Sequence, residues 1–465
     1  MVRRDTGGRI FPLTRRTPVE RAGNPPTGQV RRGAKLAAVP VAYAGRRVAG
    51  AGKRVLGRSA AEVDRQIRAR TAQHVFEVLG EMKGCVAKLG QMLAVYEFAL
   101  PADVAIPYRE ALCKLQDSAP AMLPGTVHAV LAAQLGDDWR ALFRDFDDRR
   151  PAAASVGQVH RAVWHDGRPV AVKVMYPGAR QAINDDLQAL RRIGPLFSAL
   201  LPGADARSVI EALCTYIGEE LDYGLEAANQ RAFATAYADD PDFVVPGVVA
   251  QYRDVLITEW LDGVSLSRII ARGAPFERDR VGLLILRFLL SSPTRAGLLY
   301  GDPHPGNFRV MPDGRLGVVD FGACAPWPPG YLEMVKDFAP ALLSCAPDEL
   351  EAAIRRNRYV EPGRPLDSDT VAAQLIPLRD AVLAPTIDLD PDWLRTQLAA
   401  VTDLRLTNVI RQLAMPSEHT PVARTAVAGL GVLGQLQAEL PLRSEFEQWF
   451  PEVVGVLDVD RIRQA

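Results

Sequence analysis

Cysteine and histidine are scarce in this 465-residue chain, numbering five and six. Cys85, Cys113, Cys214, Cys324 and Cys345 are odd in number, and no two form a close pair. That argues against a disulfide framework and a thiolate zinc site, and it favours a reducing compartment. The histidines are equally scattered and offer no metal cluster. Long apolar runs are missing as well. The best, Val281 to Leu290, is about half the ~20 residues a spanning helix needs, and Arg287 interrupts it. The N-terminus has no apolar core between its charges and a cleavage site, so no secretory signal is predicted. These absences lead to the expectation of a cytoplasmic protein that does not cross a membrane.

What is present fits a soluble globular chain: 48% hydrophobic and 24% charged residues, with length for roughly two to three domains. The net charge of zero hides an asymmetry. Residues 1–58 hold fourteen Lys/Arg against two acids, Asp5 and Glu20, so the remainder carries the opposite balance of −12. Arg, Pro and Gly without apolar period predict disorder over 1–33. Between Ala34 and Leu56 small apolar residues mix with bases. Two readings fit equally: a basic amphipathic helix making peripheral membrane contact, or a solvated linker. With only Tyr43 to stack on bases, no nucleic-acid partner is expected.

Ser59 to Leu100 has helical spacing behind a Ser59–Glu62 capping box, and further helices are predicted near 107–115 and 123–135. The character changes near Arg149. Gln158–Trp164 alternates, Asp166-Gly167 is a hairpin turn, and Pro169–Val174 is the return strand. Helices at 179–200 and 206–237, strands at 243–250 and 253–260, and helices at 264–272 and 277–299 follow. Beyond Pro329 the pattern is helical. The order predicts an α+β fold divided into 1–58, a helical extension 59–148, a β-rich lobe 149–262 and a helical lobe 263–465, with a cleft between the lobes.

The chemistry concentrates in Tyr300–Gly322. Asp302 and Asn307 stand five apart, and Asp320 follows in an Asp-Phe-Gly triplet. This is the spacing of a kinase catalytic loop and its metal-binding turn. Asp302 would face the phosphoryl acceptor, and Asn307 and Asp320 would hold Mg²⁺ with hard oxygen ligands. Upstream, Val170-Ala-Val-Lys173 matches the strand whose lysine reaches nucleotide phosphates. A lysine flanked by apolar residues needs a partner. The helix expected at 206–237 carries Glu219, Glu220, Asp222 and Glu226. At about 100° per residue, Asp222 and Glu226 share a face, and Glu220 stands about 120° from Glu226. Two acidic faces suggest two basic partners, and Glu226 is assigned to Lys173. Catalytic roles thus fall to Asp302, Lys173 and Glu226. ATP or ADP would contact Ala152, Ala153, Ala154, Ser155, Val156, Gly157, Lys173 and Glu259.

Two absences qualify this. Where a kinase has a Gly-rich phosphate loop, this chain has Pro151-Ala-Ala-Ala-Ser155-Val-Gly157. Alanine retains the N–H groups, but its Cβ restricts close approach. After Asp-Phe-Gly, residues 323–330 contain no Ser, Thr or Tyr and no Ala-Pro-Glu, so the peptide-docking activation segment is missing.

Lys88-Leu-Gly90-Gln91, Ala152 to His160, Lys173-Val-Met-Tyr-Pro-Gly, Glu220-Leu-Asp222-Tyr, Asp302-Pro-His-Pro-Gly-Asn307 and Asp320-Phe-Gly occur in that order. This set resembles the UbiB/ADCK (AarF-type) family of atypical kinases over roughly residues 75–325. The resemblance implies a bilobal protein-kinase-like fold with the helical extension across the cleft. It implies that Lys88 and Gln91 enter the site, with Lys88 meeting Glu220 and Asp222. It further implies Mg-dependent ATPase or small-molecule phosphotransfer linked to isoprenoid quinones or other lipids, often at a membrane. The family motif commonly ends in Ser where this chain has Ala94.

Aminoglycoside- or choline-type small-molecule kinases also carry the Gly-Asp-x-His-Pro-Gly-Asn loop, but nothing in them needs the Lys88 motif or the Ala-rich stretch. A nucleotide-gated adaptor without catalysis is a further alternative. Gly429-Leu-Gly431-Val-Leu-Gly434 imitates a dinucleotide fingerprint but lies in a helical stretch, where small residues serve helix contact. Gly52-Lys53 is followed by Arg54 and fails as a P-loop.

Overall fold

A computed structural model describes residues 121–149, 151–154, 156–198, 211, 214–215, 217–360, 362–390, 393–394, 396 and 416–454. In chain order these contain α1 (Pro124–Leu135), β1 (Phe143–Phe146), β2 (Ala152–Ala154), β3 (Gly157–Trp164), β4 (Pro169–Met175), α2 (Ala179–Ser198) and α3 (Tyr223–Ala236). Next come β5 (Phe243–Val244), β6 (Val248–Gln251), β7 (Val255–Glu259), β8 (Val264–Ser265), α4 (Leu266–Arg272), α5 (Pro275–Ala296) and β9 (Leu298–Tyr300). β10 (Phe308–Val310), β11 (Leu316–Val318), β12 (Cys324–Pro326), α6 (Tyr331–Ser344), α7 (Pro347–Arg356) and α8 (Ser368–Leu383) follow. The last are β13 (Ile387–Asp388), α9 (Thr420–Leu436), β14 (Glu439–Leu440), α10 (Leu442–Trp449) and α11 (Pro451–Val454).

Two principal cores give the molecule two lobes. In the first, β1, β3, β4, β7 and β6 form an antiparallel sheet in that order, with β2 on the end of β3. Alternation along β4 sends Val170, Val172 and Val174 into its core and turns Lys173 to the other face. α1 covers the sheet with Val127 and Leu131. The sheet takes in Phe143–Phe146, ahead of the lobe boundary expected at 149. This four-residue strand is too short to show a period. It is fixed instead by a cluster in which Phe143 meets Trp164 at 5.2 Å and Trp139 meets Phe146 at 5.4 Å.

The second core centres on α5, whose Val281, Ile285 and Phe288 pack against Phe233, Tyr300, Phe308 and Phe321. Pro275 at its start and left-handed Gly297 just past its end (φ 68°) bound that helix. Arg287, which interrupts its apolar run, pairs with Glu445 of α10 at 2.8 Å. A smaller cluster joins α6, α7 and α8.

Three expected elements are revised. The strand expected over 243–250 is two: β5 joins β11 in the second lobe and β6 joins β7 in the first. The continuous helix expected over 206–237 breaks at Glu220–Asp222. Asp222 instead caps α3, accepting hydrogen bonds from Gly224 N (2.9 Å) and Leu225 N (3.1 Å). The C-terminal stretch is not wholly helical, because β13 pairs with β14.

Candidate functional site

The site is assembled by strand pairing at the lobe junction. β9 and β12 lie antiparallel, with Tyr300 opposite Cys324, so the segments that leave them start side by side. Gly301 N donates to Ala323 O (2.9 Å), and Asn307 Nδ2 donates to Asp302 O (3.0 Å). The hairpin β10–β11 turns at Asp313-Gly314 and returns the chain to Val319, whose N–H donates to Asn307 O at 2.9 Å. Asp302, Asn307 and Asp320 are thereby brought to one end of the second lobe. Asp320 sits at φ 72°, a left-handed conformation an aspartate tolerates better than a bulky residue, and its Oδ1 accepts from Gly322 N at 3.2 Å. Phe321 is fully buried, 5.0 Å from Phe233, which anchors the turn in the core.

The first lobe contributes Lys173. Its Nζ donates to both oxygens of Glu226, at 2.8 and 2.9 Å, and to Asp320 Oδ2 at 3.1 Å. Sequence reasoning paired Lys173 with Glu226, and the structure joins Asp320 to them. Glu226 lies in the buried stripe Tyr223, Glu226, Ala227, Gln230 and Phe233 of α3, so a carboxylate occupies a core-facing position. Burial pushes its carboxyl up, to about 7; Lys173 opposes that shift, and Asp320 and Glu220 add to it. Burial also works against charge on Lys173, but Asp320 and Glu226 outweigh it and hold its ammonium well above the usual lysine range. Two contacts under 3 Å to one ammonium make the pair ionic, and the burial cost falls on Glu226.

The Ala-rich stretch differs from the loop the sequence suggested. Ala152–Ala154 is strand β2, with Ala154 opposite Gly157, so the connection is a tight hairpin. Val156 is buried and its carbonyl accepts from Tyr176 N at 3.0 Å. A Cβ on Gly157 would meet Val174 O at 2.1 Å, so only glycine permits this closeness to β4. Val156, just before β3, is thus pinned by Tyr176, unlike a residue of a free glycine loop. At Glu259 the carboxylate accepts from Arg168 Nη1 (3.2 Å) and Gly247 N (2.9 Å), and the backbone N–H donates to Gly247 O (2.9 Å). Glu220 is buried beside the break before α3, and the carboxylate of Asp222 serves as the helix cap. Lys88, Gln91 and Ser155 lie outside the described residues, as do residues 1–58.

Three contributors were not foreseen. Tyr223 lies beneath the Lys173 ammonium, 5.2 Å from Nζ to ring centroid, and Asn229 Nδ2 donates to Phe321 O at 3.0 Å. Both stand three residues from Glu226, so helical periodicity could have found them. Arg424 of α9 could not be found locally. A Cβ on Gly301 would lie 2.7 Å from Arg424 Nη2, which therefore borders the segment leading into Asp302 where it has no side chain. Its charge partly offsets the burial that pushes the Glu219 carboxyl up.

A β-rich lobe presenting a Lys–Glu pair, set over a helical lobe presenting Asp302, Asn307 and an Asp-Phe-Gly turn, defines a protein-kinase-like domain. The comparisons give the particular family. The family model for the ABC1 atypical kinase-like domain matches residues 114–347, half of the chain, and the chain belongs to that family. It is 32% identical over 273 residues to Protein ACTIVITY OF BC1 COMPLEX KINASE 3, chloroplastic, of Arabidopsis thaliana, covering 56% of this chain and 37% of that protein. It is 29% identical over 271 residues to the zebrafish (Danio rerio) Atypical kinase COQ8B, mitochondrial, covering 57% and 43%. The chain thus spans less than half the length of these curated relatives. The structure of Mycobacterium tuberculosis Rv3197 in complex with erythromycin aligns with a TM-score of 0.61 at 39% identity, over 84% of this chain and 98% of that one. Among the described residues no helix is long and apolar enough to cross a membrane.

Proposed function

We propose that this protein binds Mg-ATP in the cleft and hydrolyses it or transfers its terminal phosphoryl group to a small lipid-like molecule. The observation that carries the reading is the Lys173–Glu226–Asp320 cluster, which places one ammonium against a buried carboxylate and a carboxylate that remains a third exposed. The donor set fits the ligand. Asp320 and Asn307 offer hard oxygens for Mg²⁺, which favours one or two protein oxygens together with phosphate oxygens. Lys173 offers the point charge for the phosphates, and Glu226 aims it.

Bound Mg-ATP would supply the electrophilic phosphoryl group. Asp302 would orient the attacking water or hydroxyl and accept its proton, while Asn307, through its bond to the Asp302 carbonyl, couples the metal side of the loop to the acceptor side. The pinning of Val156 supports a nucleotide grip unlike that of glycine-loop kinases. The missing activation segment supports a small-molecule acceptor over a peptide. The resemblance to UbiB/ADCK atypical kinases favours isoprenoid-quinone or lipid metabolism, COQ8B is named an atypical kinase, and the erythromycin in complex with Rv3197 is itself a bulky small molecule.

The test is ADP formation by the purified chain with Mg²⁺, with and without liposomes or quinone precursors. Turnover that Asp302→Asn and Asp320→Asn each reduce by roughly 10² or more supports the reading. Turnover unchanged in both variants overturns it. Nucleotide binding with no product under any condition would assign the adaptor role.

A further inference from the structure

A second concave site lies in the helical lobe, and none of its lining residues belongs to the cleft. Pro377, Asp380 and Ala381 of α8, Thr386, Ile387 and Asp388 around β13, and Trp393 line an open depression of about 400 Å³. That volume is in the range of small-molecule sites, ~300–1,000 Å³. Its chemistry is uneven. Pro377, Ala381, Ile387 and Trp393 give it an apolar side that includes one aromatic residue. The polar side is acidic. Asp388 stands directly opposite Glu439 across the β13–β14 pair, and like charges in that register repel. Glu439 is held there from two sides: Thr386 Oγ1 donates to its Oε1 at 2.8 Å, and its backbone N–H donates to Asp279 Oδ1 at 2.9 Å. Asp380 is paired with Arg379 at 2.8 Å, and no described basic residue pairs with Asp388. Among the described residues no three acid, His or Cys side chains converge to hold a metal ion. Next to Pro377, Ile376 and Leu378 are exposed large hydrophobics.

We propose that this depression binds an organic ammonium ion carried on an apolar body. Asp388, with Glu439 behind it, answers the charge, the Trp393 face takes the ammonium substituents, and Pro377 and Ile387 take the body. Carboxylate and indole together select a cation over a neutral or anionic amphiphile, because a ring face attracts positive charge and repels negative charge. The site is independent of the nucleotide reading and of Asp320.

The experiment is calorimetric titration of the full chain with decyltrimethylammonium below its micellar concentration, with decyl maltoside and decanoate in parallel. Saturable one-to-one binding of the cation is expected, weakening with added salt. Asp388→Asn and Trp393→Phe should each weaken it by about tenfold, the size expected for one charge or one cation–aromatic contact. Asp388 is exposed and its amide preserves shape, so folding is retained; phenylalanine keeps an apolar ring where Trp393 borders the core. Asp320→Asn should leave the binding unchanged. The proposal is overturned by absence of saturable binding, by equal affinity for decyl maltoside, or by wild-type affinity in both variants.

Discussion

Replacing Lys173 by methionine isolates the interaction on which the site is built. Methionine keeps the apolar stem and removes the ammonium, so Glu226, 4% exposed, loses both short contacts, and Asp320 loses its 3.1 Å partner. Breaking a buried ion pair on one side costs about 3–5 kcal/mol, because the remaining charge keeps its desolvation penalty. In a chain of this length, with ~2.1 cal/mol/K of unfolding entropy per residue, that is about 3–5 °C in midpoint at pH 8. The cost should depend on pH with a definite sign. Burial already pushes the Glu226 carboxyl up to about 7 with the lysine present, against an ordinary 4.5. Without the lysine it goes higher, so the folded variant binds more protons than the unfolded chain from about 4.5 up to that raised value. Stability of the variant therefore falls as pH rises through this window, and the deficit against wild type shrinks toward pH 5. Adding Glu226→Gln should recover most of the loss, since the second change removes the stranded charge. Scanning calorimetry of the four proteins at pH 5 and pH 8 closes the cycle. An unchanged midpoint at pH 8, or an equal deficit at both pH values, would refute the argument.

Other substitutions probe the scaffold. Gly157→Ala places a Cβ 2.1 Å from Val174 O and should destabilise the first lobe by a few kcal/mol, seen as loss of hydrogen-exchange protection in β3 and β4. Glu445→Ala removes the buried partner of Arg287; with the arginine nearly a third exposed, solvent reduces the cost to about 1–2 kcal/mol, readable as a lower midpoint. Asp222→Ala removes the cap of α3 and should cost about 1 kcal/mol, with weaker nucleotide binding because Glu226 lies in the first turn.

The groups proposed to react were legible because their signals are local. Asp302 and Asn307 share one loop, Asp320 sits in a tripeptide, and Lys173 follows from alternation along one strand. Glu226 followed from the same reasoning, since a buried lysine needs an acid and a helix supplied one. What failed depended on tertiary structure. The break before α3 is set by Asp222 turning its side chain onto its own backbone, where helical propensity alone would run on. Ala152–Ala154 read as a loop because it stands where kinases carry a Gly-rich phosphate loop, yet pairing with β3 extends it. Arg424 reaches Gly301 from more than a hundred residues away, and its sequence neighbourhood carries no trace of that contact.

The central claim is that Asp320 and Asn307 hold a metal–nucleotide complex against Lys173. Equilibrium titration of the full chain with ATP, in Mg²⁺ and in EDTA, measures it most directly. The account predicts saturable binding that needs Mg²⁺ and weakens at least tenfold in Asp320→Asn. Binding of equal strength in EDTA, or in Asp320→Asn with Mg²⁺ present, would contradict it.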